Sequence, residues 1–285
     1  MTIFFALMAA LCNALNVVTQ HRASIASPER ARGWGLVLYL FKNPLWLFGW
    51  VALIGAFVFQ ALALHDGQLS VVQPLLVTEL VFALVLRYLW VHQAIRAVTW
   101  VAAAITCVSL ALFVRASEPQ GGNAFPSTHA WIGAMTATIG ATVLLAVLGM
   151  RGSPGRRAAL TATATAILWA LVATFIKTMT QTLSEFGIGG MFLHWPVYAL
   201  AIAGASAAIL NQVTLHVGPL SVSQPFLVIV DPIVSIALSI WVFEEYFTPS
   251  TSRLTAAATS FIVMCAAVTV LTRTAPATME PSGQS

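Results

Sequence analysis

Two carboxylates lie deep inside apolar stretches of the chain and are the residues best placed to do chemistry. Glu79 lies about 15 Å along a helix that starts at residue 69, and Asp231 about 20 Å along one that starts at residue 218. In a bilayer such acids are costly and usually face the bundle interior. They predict a cation or proton site, with Glu79 and Asp231 as the candidate metal ligands. The alternative is a pair of structural acids, protonated or hydrogen-bonded.

Prolines and glutamines recur on the same two stretches. Pro74, Pro225 and Pro232 each remove a backbone hydrogen bond and free the carbonyl four residues earlier, so both helices are expected to be interrupted. Freed carbonyls beside Gln73 and Gln224 would line a site for a cation or a polar solute. A simple packing kink remains the alternative.

Three other polar residues fall within apolar runs. Lys177 lies near the end of its run, where snorkelling to the membrane interface is the plainer expectation; facing inward, it would be a counter-ion for Asp231 or for an anionic solute. Asn13 and Asn16 are three residues apart and share a helix face. They would bind the solute or hold two helices together.

The composition requires a membrane as solvent. Of 285 residues, 59% are apolar and 8% charged, and the mean hydropathy is +0.88. Soluble domains are about 45–50% apolar and about 25% charged. A soluble enzyme, a disordered chain and a nucleic-acid binder are therefore excluded. The net charge of +4 does not indicate nucleic acid, because most of the 13 Lys and Arg lie in short loops.

Nine apolar runs are long enough to cross a bilayer, which predicts an all-α polytopic membrane protein. The stretch 33–41 is too short and is expected to be interfacial or re-entrant, and the polar tail 274–285 is expected to be disordered. The first run lacks a basic n-region and a clear cleavage site, so it is taken as a mature helix. The runs are 2–20, 44–64, 69–91, 97–114, 129–150, 159–181, 191–210, 218–243 and 253–272.

Basic residues divide unequally between the two sides of these spans. Ten fall on one side and three, Arg115, Lys177 and Arg253, on the other. The positive-inside rule then places the N-terminus outside and the C-terminus in the cytoplasm of a cell membrane. The ten are Arg22, Arg30, Arg32, Lys42, Arg87, Arg96, Arg151, Arg156, Arg157 and Arg273.

The chain contains an internal repeat at an offset of 151 residues. Residues 64–77 (LHDGQLSVVQPLLV) and 215–228 (LHVGPLSVSQPFLV) are identical at ten of 14 positions, including His, Gly, Ser, Gln and Pro. The repeated spans are five spans apart, and because five is odd, the copies cross the membrane in opposite senses. Inverted repeats are typical of secondary transporters with a midplane site. A duplicated structural bundle without transport is the alternative.

The second copy resembles a known superfamily. Ser223-Gln224-Pro225, Asp231-Pro232-Ile233-Val234 and Trp241-Val242-Phe243-Glu244-Glu245 resemble the drug/metabolite transporter superfamily (EamA-type domains). The resemblance implies two inverted five-helix repeats, of which this chain would lack the first helix. The expected division is 1–114 for four spans, 115–128 for the linker and 129–273 for five spans.

The nine-span layout also resembles NIPA-type magnesium transporters. So does the passage from Tyr39 through Lys42-Asn43-Pro44-Leu45-Trp46 to 70–75. The resemblance implies Mg²⁺ as one candidate solute beside a small polar metabolite. The first copy departs from the pattern, with Glu79-Leu80 for Asp231-Pro232 and His92-Gln93 for Glu244-Glu245.

The expected function is secondary transport by alternating access, without a cofactor. Pro126-Ser127-Thr128-His129 resembles one box of membrane lipid phosphatases, but the accompanying basic pair and Arg-His-Asp cluster are missing, so an enzyme is not expected. The expected partners are the lipid bilayer, the small polar solute or cation and, as an open alternative, a second copy of the chain. A non-transporting scaffold or accessory subunit in envelope assembly is the alternative function.

Overall fold

The computed structural model describes residues 1–25, 43–92, 94–123, 125–247 and 250–274. Within these ranges, nine helical spans are long and apolar enough to cross a membrane, which confirms the expected all-α polytopic architecture. The predicted interfacial piece 33–41 and the tail after Thr274 lie outside the described residues. The elements are α1 (Thr2–Ile25), α2 (Pro44–Asp66), α3 (Leu69–Leu76), α4 (Glu79–Leu86), α5 (Ala97–Ser117), β1 (Gln120–Gly121), α6 (Thr128–Leu148), α7 (Pro154–Met191), α8 (Pro196–Val217), α9 (Leu220–Phe243), β2 (Glu245–Tyr246) and α10 (Thr251–Thr274).

Several helix ends differ from the predicted runs because caps and prolines, rather than hydropathy, set them. Helix α7 begins at Pro154, where the Ser153 hydroxyl accepts a hydrogen bond from the Arg156 backbone N–H. It continues to Met191, with a break in helical geometry at Gly187, whose φ is +68°. Helix α8 is Pro196–Val217 and therefore starts later and ends later than the predicted run 191–210.

The third span is broken near its middle. Helix α3 ends at Leu76, and α4 starts at Glu79 after a turn in which Val77 N donates to Pro74 O at 3.2 Å. A π-helical turn, Arg87–Val91, follows α4. The expected interruption is thus present in the first copy. The expected interruption is wrong for the second copy, because α9 continues through Pro225 and Pro232. A membrane helix can continue through a proline when its neighbours satisfy the freed backbone groups.

Helix α7 is the central helix of the bundle. It packs against α6, α8 and α9 and also contacts α2 and α3, and its buried face is rich in alanine and threonine. Small side chains let helix backbones approach closely where lipid supplies no hydrophobic driving force. The Thr165 and Thr214 hydroxyls join α7 to α8 at 2.8 Å. Helix α1 packs on α2, α3 and α4, α9 packs on α3, and α5 pairs with α10.

Replacing Gly67 by alanine is expected to destabilise the protein by about 1–3 kcal/mol, the usual cost of overpacking. A Cβ at Gly67 would overlap Thr2 Cγ2 and the Ala63 carbonyl oxygen, and the carbonyl belongs to the helix backbone and cannot move alone. The measurement is thermal melting in detergent. Gly140→Ala is the matched control, because a Cβ there meets nothing within 4 Å. Equal melting of the two variants would contradict the close approach at Gly67.

Candidate functional site

The two intramembrane acids lie on spans that pack against each other, because α3, the first helix of the third span, packs on α9. Glu79 is the first residue of α4, where the helix dipole favours a negative charge, and the Asn13 side chain of α1 hydrogen-bonds to it. Asp231 lies within α9, and its Oδ1 accepts a hydrogen bond from Ser235 Oγ at 3.2 Å. Both acids are partly buried, and Asp231 is within electrostatic range of Glu79. One acid from each half of the chain therefore contributes to a common polar region.

Two amide side chains near this region have unsatisfied polar atoms. Gln73 on α3 is buried, and its Nε2 has no hydrogen-bond partner within the described part of the chain. Asn16 Oδ1 on α1 is also buried without a hydrogen-bond partner among the described residues. Buried polar atoms are nearly always paired, so each atom without a partner can accommodate a water or a solute. The corresponding glutamine of the second copy, Gln224 on α9, is only partly buried, and the neighbouring Pro74 and Pro225 are buried.

The donor set does not include a group of three conventional metal ligands. Among the described residues no three His, Cys, Asp or Glu side chains come together. A divalent cation at Glu79 and Asp231 would need amide, hydroxyl or backbone oxygens to complete its shell, as Mg²⁺ and Ca²⁺ sites commonly do. Asn13 is the amide already in contact with one of the acids. The set suits a cation bound with some of its water, or a polar solute with donors of its own.

Lys177 forms a buried ion pair. Its Nζ donates to Glu245 Oε1 at 2.6 Å and to the Gly67 carbonyl oxygen at 3.1 Å, and it lies 4.7 Å from the centroid of the Phe243 ring. Lys177 is 5% exposed and Glu245 2%. The snorkelling expectation is therefore wrong, because these partners satisfy the ammonium inside the protein. Its counter-ion is Glu245 and not Asp231.

The Glu245 carboxylate also caps helix α3. Its Oε1 accepts the Leu69 backbone N–H at 3.0 Å, and its Oε2 accepts the Ser70 N–H at 3.2 Å and the Ser70 hydroxyl at 2.7 Å. The first N–H groups of a helix lack partners within the helix, and the helix dipole favours a carboxylate there. We call Lys177, Glu245, Gly67, Leu69 and Ser70 the lock. The lock joins the start of α3, in the first half of the chain, to α7 and the end of α9, in the second half.

The chain after α9 directs Glu245 rather than Glu244 into the protein. Glu244 adopts a left-handed conformation, with φ of 57°, and is exposed, and this turn reverses the chain. The next two residues form β2, which pairs antiparallel with β1, so that Glu245 faces Gly121 and Tyr246 faces Gln120. Asn123 N donates to Phe243 O at 2.6 Å, and Arg253 pairs with Glu118. The connection between the two halves is thus hydrogen-bonded to the segment that contains Glu245.

The sequence reasoning missed Glu245, Ser70 and Gly67. A usable signal was present in the sequence. A lysine within a transmembrane run needs an anionic partner, and Glu244-Glu245 directly follows the run 218–243, which the repeat pairs with the run that contains α3. Hydropathy alone could not choose between Glu244 and Glu245, because the choice depends on the turn between them.

Comparisons with known proteins give one full-length similarity. The chain is 28% identical over 278 residues to "Uncharacterized protein Cgl0250/cg0304" of Corynebacterium glutamicum, which covers 96% of this chain and 95% of that protein. No protein-family model matches the chain, and no solved structure matches it. The function must therefore be argued from the residues themselves.

Proposed function

We propose that this chain is a secondary transporter of the drug/metabolite type that moves a small polar solute or a cation, with Mg²⁺ as one candidate, across the cell membrane. Its nine spans form two inverted repeats of four and five. Spans α1 to α5 rock against α6 to α10 and expose a central site to each side in turn. The N-terminus is outside and the C-terminus is in the cytoplasm.

The observation that carries this proposal is the placement of Glu79 and Asp231 on two spans that pack on each other. Each acid comes from one half of the chain, each lies mid-span, and the two spans meet through α3 and α9. Placing two carboxylates together in a membrane is costly, so a bundle that needed only stability would not retain them. A site that must bind and release a cation or a proton needs such groups.

Corresponding helix starts support the inverted repeat. Helices α2 and α8 begin at Pro44 and Pro196, and α3 and α9 begin at Leu69 and Leu220. The turns that end the third and eighth spans also correspond, since His92 and Glu244 both adopt a left-handed conformation. These offsets of 151 or 152 residues agree with the sequence repeat over three successive features. Inverted repeats give a physical route to alternating access.

The test is ion flux in proteoliposomes loaded with a Mg²⁺ dye and a pH dye. Wild type is compared with the Glu79→Gln/Asp231→Asn double variant at equal reconstituted amounts. We expect a solute-dependent signal in the wild type and its loss in the double variant, because the amides keep the shape of the acids but neither their charge nor their exchangeable proton. Melting in detergent controls for folding.

Three other outcomes would change the proposal. Equal flux in both proteins would contradict the role of the acids. A pH signal without a Mg²⁺ signal would exclude Mg²⁺ and direct the search to proton-coupled metabolites. If no solute gives a signal and the double variant fully replaces the wild type in a deletion strain, the scaffold function would be favoured instead.

A further inference from the structure

Among the described residues, the lock joins the two halves of the chain through four hydrogen bonds. The Glu245 carboxylate accepts hydrogen bonds from Lys177, from two backbone N–H groups and from a hydroxyl, so that both of its oxygens are fully engaged. Any motion that separates α3 from α7 and α9 at this end must break the bonds of Glu245 to Leu69 and Ser70 and of Lys177 to Gly67, and it exposes the ion pair to water. Such an assembly has two discrete arrangements, one with the ion pair buried against the start of α3 and one with it separated from α3 and hydrated, as a gate requires.

Among the described residues, the opposite end of the bundle has no buried ion pair that corresponds to the lock. In the repeat, Ser70 corresponds to Ser221, which is exposed, whereas Ser70 is completely buried. The sequence has Gln93 at the position of Glu245 and Ile25 at that of Lys177, each 152 residues earlier. The repeat therefore provides a carboxylate and an ammonium at one end only. The buried ion pair thus lies at the Lys177 end, whereas Ser221 at the start of α9 is exposed at the other end.

We infer that the lock is the gate on the Lys177 end of the transport path, and that the bonds from its ion pair to Gly67, Leu69 and Ser70 hold this end closed in the resting conformation. This inference rests on the proposed transport function. Opening separates Glu245 and Lys177 from Gly67, Leu69 and Ser70, and it separates β2 from β1, which follows the last span of the first half. The opposite end closes in the same motion. With the proposed orientation, the gate faces outside and the resting protein is open to the cytoplasm.

The first experiment measures both ends by thiol labelling and requires no knowledge of the solute. In a background with Cys12, Cys107 and Cys265 replaced by alanine, Gln73→Cys reports one turn below the lock and Ser221→Cys reports the opposite end. Each reporter is combined with Lys177→Met or, as the milder change, with Glu245→Gln. A water-soluble maleimide in detergent gives the rate at each site.

A gate predicts opposite changes at the two reporters. Labelling at Gln73→Cys should rise by about fivefold or more and labelling at Ser221→Cys should fall, since two-state coupling typically starts near that magnitude. A merely structural ion pair predicts a rise at both reporters as the fold loosens. A parallel rise, or no change in either variant, would overturn the gate.

The second experiment closes the gate covalently. Gln120 and Tyr246 are directly opposite in the antiparallel pair β1–β2, and opposed residues have the spacing that a disulfide needs. The Gln120→Cys/Tyr246→Cys variant should lose flux on oxidation and regain it with a reductant, while each single-cysteine variant is insensitive. Full flux in the completely cross-linked protein would overturn the gate and leave transport standing. Opposite labelling changes without wild-type flux would support the gate and contradict transport of the tested solutes.

Discussion

Lys177→Met is expected to lower the free energy of unfolding by about 3–5 kcal/mol, the cost of leaving one charge of a buried pair alone. Glu245 would keep its hydrogen bonds to Leu69 and Ser70 but lose the ammonium that neutralises it in an almost fully buried position. The measurement is SDS titration in mixed micelles. If the protein opens at the lock, water hydrates the unpaired Glu245 carboxylate and part of the lost free energy is recovered. The full loss is therefore expected in the Gln120→Cys/Tyr246→Cys background, where the oxidised disulfide holds the lock closed.

The exposed ion pair Arg253–Glu118 is the matched control. Its side chains are 49% and 50% exposed, and exposed pairs contribute about 0–1 kcal/mol, so Arg253→Met should have a small effect. In a double-mutant cycle, Lys177→Met and Glu245→Gln together should cost less than the sum of the two single changes. Exchanging the two charges should not restore stability, because a lysine at 245 would face the N–H donors of Leu69 and Ser70 and a glutamate at 177 would face the Gly67 carbonyl oxygen. Additive single effects would contradict the pairing.

Asp231→Asn and Glu79→Gln, each made alone, are expected to reduce flux about 30-fold or more. This loss corresponds to about 2 kcal/mol, the lower bound for removing one charge of a buried charged contact. Melting temperatures should stay the same or rise, because a neutral amide is less costly inside the bundle than a carboxylate. The measurements are proteoliposome flux and melting in detergent on the same preparations.

Two exposed acids provide the matched controls for these substitutions. Asp66→Asn and Glu185→Gln repeat the same chemical changes on exposed side chains that make no contact with the lock's ion pair. Both should leave flux and melting unchanged. If Asp231→Asn or Glu79→Gln instead lowered the melting temperature and left flux intact, the acid concerned would be a structural residue that holds Asn13 or Ser235 in place.

The class of the protein and its number of spans were determined by the sequence alone. Hydropathy over about 20 residues is a local property, and a bilayer selects for it directly, so the nine runs were found without any tertiary information. The repeat was also detectable in the sequence, because an apolar composition alone does not place identical polar residues and prolines at the same positions of two segments. The depth of Glu79 and Asp231 followed from their distance along each helix.

Hydropathy did not determine which face of each helix meets another helix, because the lipid and the bundle interior are similarly apolar. That choice decided that Lys177 is buried and not at the interface. Its partner is 68 residues away, and the N–H groups of α3 that share this partner are 176 and 175 residues from Glu245. Packing also decided that the third span breaks before Glu79 whereas α9 continues through its prolines. A helix continues through a proline where its neighbours satisfy the backbone groups that the proline leaves without a partner. The ion-pair lock is therefore a property of the tertiary structure, since only the packed bundle brings a lysine, a glutamate and a helix start within hydrogen-bonding distance.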